Sequence, residues 1–242
     1  GTHPHIVSYK QVVMHRDIDE EIARCLEGAF AVGSLTGKRP SMFPECYVCI
    51  MFEYMDHGTL QDLMDVRCVT PESVAAVLRQ AAKALAFLHS KQHIHGNIRP
   101  ESVLLQKHAG GDDLVVKLAD FGLATCLRGV QHDCELLGYL AWCAALDRPF
   151  QRCPEPRGQA SAVAEFFCAG TGKLWEALGG TVRRLWSGAL SMADVAGMEV
   201  LQGHEVRVPR SAVLHLENRA KESLKRREMS KEGLLRRQRT LE

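Results

Sequence analysis

The sequence has no paired cysteine framework, no apolar run long enough to cross a bilayer, no charged-then-apolar leader and no excess of either charge. Each absence excludes something. Thirty basic and 29 acidic residues give a net charge of +1, so no global field draws the chain to nucleic acid or to an anionic membrane. Apolar stretches such as Cys46 to Phe52 fall far short of the ~20 residues a membrane helix needs, and no membrane association is expected. Nine cysteines scattered over 242 residues fit a reducing compartment better than a disulfide scaffold, and an intracellular, cytoplasmic location is expected. Cys46 and Cys49 have the spacing of a metal or redox pair, but a tetrahedral zinc site needs a second pair and no second CxxC exists. No zinc is expected, and the run from Cys46 reads as a strand instead. What is present is apolar content: 46% hydrophobic residues suffice to bury one substantial core, enough for one domain or one and a half.

Residues His5 to Met14 alternate loosely and read as a strand, and a polar stretch with Gly28, Gly33, Gly37 and Pro40 reads as a long loop. Cys46 to Tyr54 is a second strand. Thr70-Pro71-Glu72 is a helix start, with a hydroxyl at the N-cap, proline at the first helical position and an acid in the first turn. Val74, Val77, Leu78, Ala81, Leu85 and Leu88 recur at helical spacing, which predicts one buried face and an end near His89. Ser102 to Leu105 and Leu114 to Ala119, separated by Gly110-Gly111-Asp112-Asp113, predict a hairpin. From Gly138 to Arg210 glycine and proline interrupt moderately apolar pieces and the pattern weakens. From Ser211 the charges alternate and are net basic, with Arg226, Arg227, Arg236 and Arg237 against Glu222, Glu228 and Glu232, which reads as a solvated helical tail. Val213, Leu216, Ala220 and Leu224 allow ordinary docking of this tail onto a core, and nucleic acid is not expected as a partner except at its basic side, which an acidic surface could also meet.

Two motifs stand in order after the long helix. His93-Ile94-His95-Gly96-Asn97-Ile98-Arg99-Pro100-Glu101-Ser102 precedes Ala119-Asp120-Phe121-Gly122. This order and spacing resemble the catalytic loop and the metal-binding Asp-Phe-Gly of protein kinases of the Ser/Thr type. Thr2-His3-Pro4-His5-Ile6-Val7 resembles the turn after the regulatory helix of the small lobe. Cys49 to Leu60 resembles the last small-lobe strand and hinge, with Phe52 at the gatekeeper position and the backbones of Glu53 and Met55 facing an adenine ring.

The resemblance implies an α+β, protein-kinase-like fold: residues 1–55 as the remnant of a small lobe, 56–210 as the helical large lobe, and 211–242 as the charged tail. It places Asn97 where kinases carry the aspartate that accepts the substrate hydroxyl's proton, and Ser102 where an asparagine helps hold magnesium. An amide has no useful basicity near neutral pH, so base assistance worth roughly 10²–10⁴-fold is expected to be missing. Gly96 replaces the arginine that reads a phosphorylated activation loop. Asp120 keeps the magnesium position, Ser102 retains a hydroxyl that can ligate the ion, and Arg99 keeps a cation near the transferring phosphate. Cys153-Pro154-Glu155 resembles the Ala-Pro-Glu that closes the activation segment. Glu165-Phe166-Phe167 resembles the buried helix that follows it, with Glu165 at the carboxylate that braces the catalytic loop. The glycine-rich loop and the phosphate-pairing lysine would precede Gly1, so ATP and magnesium are expected to bind weakly at most. The reading is a catalytically impaired pseudokinase that binds or scaffolds a protein. The alternative is an active serine/threonine kinase, with a protein substrate, whose phosphate clamp lies upstream.

Overall fold

The computed structural model describes residues 2–15, 47–107, 113–121, 129–150, 169–209, 212–214 and 218. The chain divides into two compact units, Gly1–Val7 with Met55–Glu217 and Ser8–Tyr54 with Asn218–Glu242. In the smaller unit, β1 (Tyr9–His15) pairs antiparallel with β2 (Tyr47–Phe52), Val12 opposite Ile50, with an irregularity between Tyr9 and Gln11. Both expected strands are present. The long loop expected between them and Cys46 lie outside the described residues.

The larger unit is built around a 20-residue helix. After the short helix α1 (Leu60–Asp65), α2 runs over Pro71–Ser90. Thr70 caps it as its composition predicts, its hydroxyl accepting from the Ser73 amide, and Pro71 occupies the first turn where its missing N–H costs nothing. The apolar face of α2, including Val74, Leu78, Ala81 and Leu85, is fully buried. A polar side chain shares that core: the Gln80 carbonyl oxygen accepts from the Val116 amide at 2.9 Å, supplying the partner a buried backbone donor requires.

The expected hairpin forms as β3 (Val103–Lys107) and β4 (Leu114–Leu118), antiparallel, with Leu105 opposite Val116. Val103 and Leu105, and Leu114, Val116 and Leu118, are buried while their neighbours are less so, the period-2 alternation of a half-covered sheet. Single bridges extend it: Ile6 runs parallel to Leu118, Thr59 pairs with Leu104, and Val206 pairs with Leu114.

Beyond Gly138 the expectation of a weak pattern gives way to clear helices. Helix α3 spans Val130–Ala145 and α4 spans Lys173–Trp186, followed by α5 (Met192–Gly197). Gly138, which on sequence alone interrupts the pattern, lies buried inside α3. A Cβ there would stand 2.9 Å from the Trp186 indole nitrogen, so glycine permits the close approach of α3 and α4. Leu137 and Leu140 of α3 and Leu178, Val182 and Leu185 of α4 are buried in the same core as α2 and the hairpin. Of the charged tail, residues 212–214 and 218 are helical and the rest lies outside the described residues. No helix among the described residues is long and apolar enough to cross a membrane.

Candidate active site

Residues 93–99 leave the end of α2 without regular structure and turn into a short 3-10 helix, Pro100–Ser102, that leads into β3. An irregular segment crossing a core must find partners for its backbone. His95 and Asp133 supply them. His95 is fully buried; its Nδ1 accepts from the Asn97 amide at 3.3 Å, which leaves Nε2 to donate to the Ala119 carbonyl at 3.0 Å. Burial pushes its pKa down, against the opposing pull of Asp133, so the ring is the neutral form that this bonding needs. The Phe121 ring packs against it, centroids 4.7 Å apart.

Asp133, in the first turn of α3, is also fully buried. Its Oδ2 accepts from the His95 amide at 2.9 Å and contacts His89 Nε2 at 2.8 Å, while Oδ1 accepts from the Gly96 amide at 2.8 Å. Burial alone would raise its pKa, but the bonds from His89, Gly96 and His95 outweigh it and hold the carboxyl below its ordinary value. Gly96 has φ +73°, in the left-handed region that glycine enters freely. Three segments of the chain thus meet on one ionised carboxylate.

This brace corrects the sequence reading. The carboxylate that accepts from the loop is Asp133, not Glu165, which lies outside the described residues. Cys153-Pro154-Glu155, expected to close a segment ahead of the bracing helix, follows α3 in the chain and lies outside the described residues. The missed signal was Leu137, Leu140, Ala141 and Ala144 at helical spacing after an acid, hidden by reading Gly138 as a break.

The upper side of the loop carries the candidate reactive groups. Asn97 and Asp120, 23 positions apart, are brought together by the return of the β3–β4 hairpin, and the Asn97 amide Nδ2 donates to Asp120 Oδ2 at 2.7 Å. Asp120 has φ +64°, a strained conformation for a residue with a Cβ. Ser102 is buried; its Oγ accepts from the Arg99 amide at 3.0 Å and lies 2.9 Å from the Arg99 carbonyl and 3.1 Å from the Asn97 carbonyl, between which its one proton is shared. Arg99 forks onto Glu101, Nε to Oε2 at 2.9 Å and Nη2 to Oε1 at 2.8 Å, with both side chains about half exposed. That pairing raises the pKa of Arg99 and lowers that of Glu101. No group of three or more His, Cys, Asp or Glu side chains suited to a metal ion gathers among the described residues.

The hinge residues fall on either side of the division between units. Glu53 belongs to the smaller one, where its amide donates to the Ser8 carbonyl at 2.9 Å and its Oε1 accepts from the Ser8 amide at 2.8 Å. Met55 belongs to the larger and is buried. Phe52 is exposed at the end of β2.

Known proteins resemble this chain in sequence and in fold. The kinase PAK 1 of Mus musculus is 41% identical over 73 residues, 30% of this chain and 12% of that protein. Mitogen-activated protein kinase kinase 1c of Physcomitrium patens is 28% identical over 131 residues, 50% of this chain and 36% of that protein. The chain therefore spans well under half the length of either relative. The crystal structure of the Rad53 kinase domain and SCD2 superposes with a TM-score of 0.55 at 15% identity, covering 89% of this chain and 81% of that one, which establishes the fold. The profile of the family described as protein kinase domain matches residues 2–145, ending at the last residue of α3, the helix that carries the brace. Matched over more than half its length by that profile, the chain belongs to the protein kinase domain family.

Proposed function

We propose that this chain is a Ser/Thr-type kinase domain that transfers phosphoryl groups poorly or not at all and acts as a binding or scaffolding module for a protein partner. The observation that carries the reading is the length of one link. In protein kinases the activation loop and the Ala-Pro-Glu that ends it follow the metal-binding aspartate, ahead of the bracing helix. Here eight residues, 122 to 129, join Phe121 to the first residue of α3. Even fully extended they reach about 28 Å, a connection rather than a platform.

The magnitudes rank the losses. Holding a reactant in line contributes up to roughly 7–11 kcal/mol to such reactions. A positioned base contributes roughly 10²–10⁴-fold, which is smaller. The short link removes the means of positioning a protein hydroxyl, and Asn97 removes the base as well. Arg99, engaged with Glu101, is a third weakening, since it must leave that pair to meet a phosphate. ATP and magnesium, which the family generally uses, are expected to bind weakly. Arg99 and the Met55 backbone would be the nucleotide's contacts in the larger unit. An intracellular location is consistent with the unbridged thiols of Cys68 and Cys134.

A second reading, a slow working kinase completed by residues outside this chain, has one observation in its favour: the braced loop holds Asp120 beside the base position. Loose phosphoryl-transfer transition states need little base assistance. Incubation of the purified chain with labelled ATP, magnesium and a generic Ser/Thr protein substrate separates the two. No transfer above that of Asp120→Ala is expected; transfer that Asp120→Ala abolishes overturns the scaffold reading.

A further inference from the structure

We infer that the Asn97 amide stands in for a divalent cation on Asp120, so that this centre holds its Asp120–Phe121 turn without metal and takes up neither magnesium nor manganese. The inference deepens the impaired-kinase reading and rests on it only for the family position of Asp120.

The donor set around Asp120 does not suit such an ion. Magnesium demands near-octahedral oxygen ligands at about 2.0–2.1 Å and is usually held by one or two carboxylates together with phosphates and water. Asp120 is the carboxylate bonded to Asn97, its Oδ2 already accepting a short bond from Asn97 Nδ2 at 2.7 Å. Charge-assisted bonds of this length are among the stronger ones in proteins. An ion on that oxygen would face the amide's N–H dipole, positive end first, and would have to expel it. The second position offers no compensation. Ser102 Oγ is buried, and both its proton and an acceptor site are committed to the backbone of residues 97 and 99. Arg99 adds positive charge nearby that interacts with Asp120. One oxygen pre-empted, one hydroxyl withdrawn and one guanidinium adjacent do not fit a hard divalent ion.

The same bond explains how the turn keeps its shape. A non-glycine residue at φ +64° needs surrounding restraint to persist. Asn97 restrains the side chain of Asp120, and the Phe121 ring, seated on His95, restrains the next residue. Asn97 is thus a positioning residue, doing with an amide what the ion does in a working kinase.

The test uses the full chain and manganese alone, without nucleotide. In the native protein, manganese added at a stoichiometric amount is expected to leave the Asn97 side-chain NH₂ resonances unbroadened, and the resonances are expected to shift in Asp120→Ala. Asn97→Asp, which replaces the donor by a second carboxylate, is expected to bind one manganese ion at least about tenfold more tightly than the native chain, and to lose it on further Asp120→Ala substitution. Native protein that binds one manganese ion as tightly as Asn97→Asp, with Asn97 resonances broadened and binding lost in Asp120→Ala, overturns the inference. That result without phosphoryl transfer would leave the scaffold reading standing. Transfer in the labelled-ATP assay would end the scaffold reading whatever manganese does.

Discussion

The underside and the upper side of the catalytic loop are separated by one residue, Gly96, and follow opposite rules. Below, His95 and Asp133 are wholly buried, and every described contact they make holds backbone or another ring in place. Above, Asn97, Arg99 and Asp120 are more exposed, and their polar capacity is turned on each other and on Glu101. The support of a kinase site and its chemistry are therefore separable. A buried carboxylate cannot lose its partners without large cost, whereas an exposed one changes neighbours cheaply. A chain can give up the reaction and keep the loop.

The sharpest way to break that contrast is Asp133→Ala. It strips one carboxylate from two backbone amides and His89, leaving buried donors unpaired. The expected loss is on the order of 3–5 kcal/mol, by analogy with breaking a buried ionic network, measured as a fall in the denaturant midpoint. Asp120→Ala, on the upper side, is expected to shift that midpoint by far less. Equal effects would mean that the two sides are not distinct.

The next effect probes the helix that delivers Asp133. Gly138→Ala drives a methyl toward the Trp186 indole, 2.9 Å away, and Trp186 is itself anchored by donating to the Glu135 carbonyl at 3.2 Å. Overpacking of this kind costs about 1–3 kcal/mol. The same position shows what the sequence concealed. The long helix at 71–90 and the hairpin were legible because Thr70-Pro71-Glu72 and the alternation of Leu114 to Leu118 are local signals. Helix α3 was not, because a buried glycine reads as a breaker until a partner such as Trp186 explains it, and that partner is 48 positions away. The motif points to Glu165 for the brace because the identity of that acid depends on which one reaches the His95 and Gly96 amides, a property of packing. Asn97, Ser102 and Asp120 could be placed by spacing, but the bond between Asn97 and Asp120, and the inward commitment of Ser102, could not.

Acid should act on the underside first. Burial lowers the pKa of His95, and burial followed by neighbouring positive charge lowers that of His3; burial likewise outweighs the Val116 carbonyl at His5. Between those lowered values and the ordinary 6.5, the unfolded chain binds protons that the folded chain refuses. Stability therefore falls as pH drops through 6.5 and is fully present above it. Asp133, with its pKa held below 3.8, contributes stability that persists to much lower pH and is lost only as pH falls through its folded value. Melting temperatures recorded from pH 7.5 to 5.5 should decline, and Phe121→Ala, which opens one side of His95, should flatten the decline. A flat profile in the native chain would remove histidine burial from the account.

The smallest effect belongs to the upper side. Glu101→Gln breaks the fork that holds Arg99, but both side chains are about half exposed, so water and salt already screen the pair. The expected change in stability is about 0–1 kcal/mol. What should change is availability: a guanidinium freed from Glu101 is open to a phosphate, and an anion such as ATP should protect the variant against thermal unfolding more than it protects the native chain. Protection by ATP that is the same in both proteins would mean that the Arg99–Glu101 pair does not compete with phosphate.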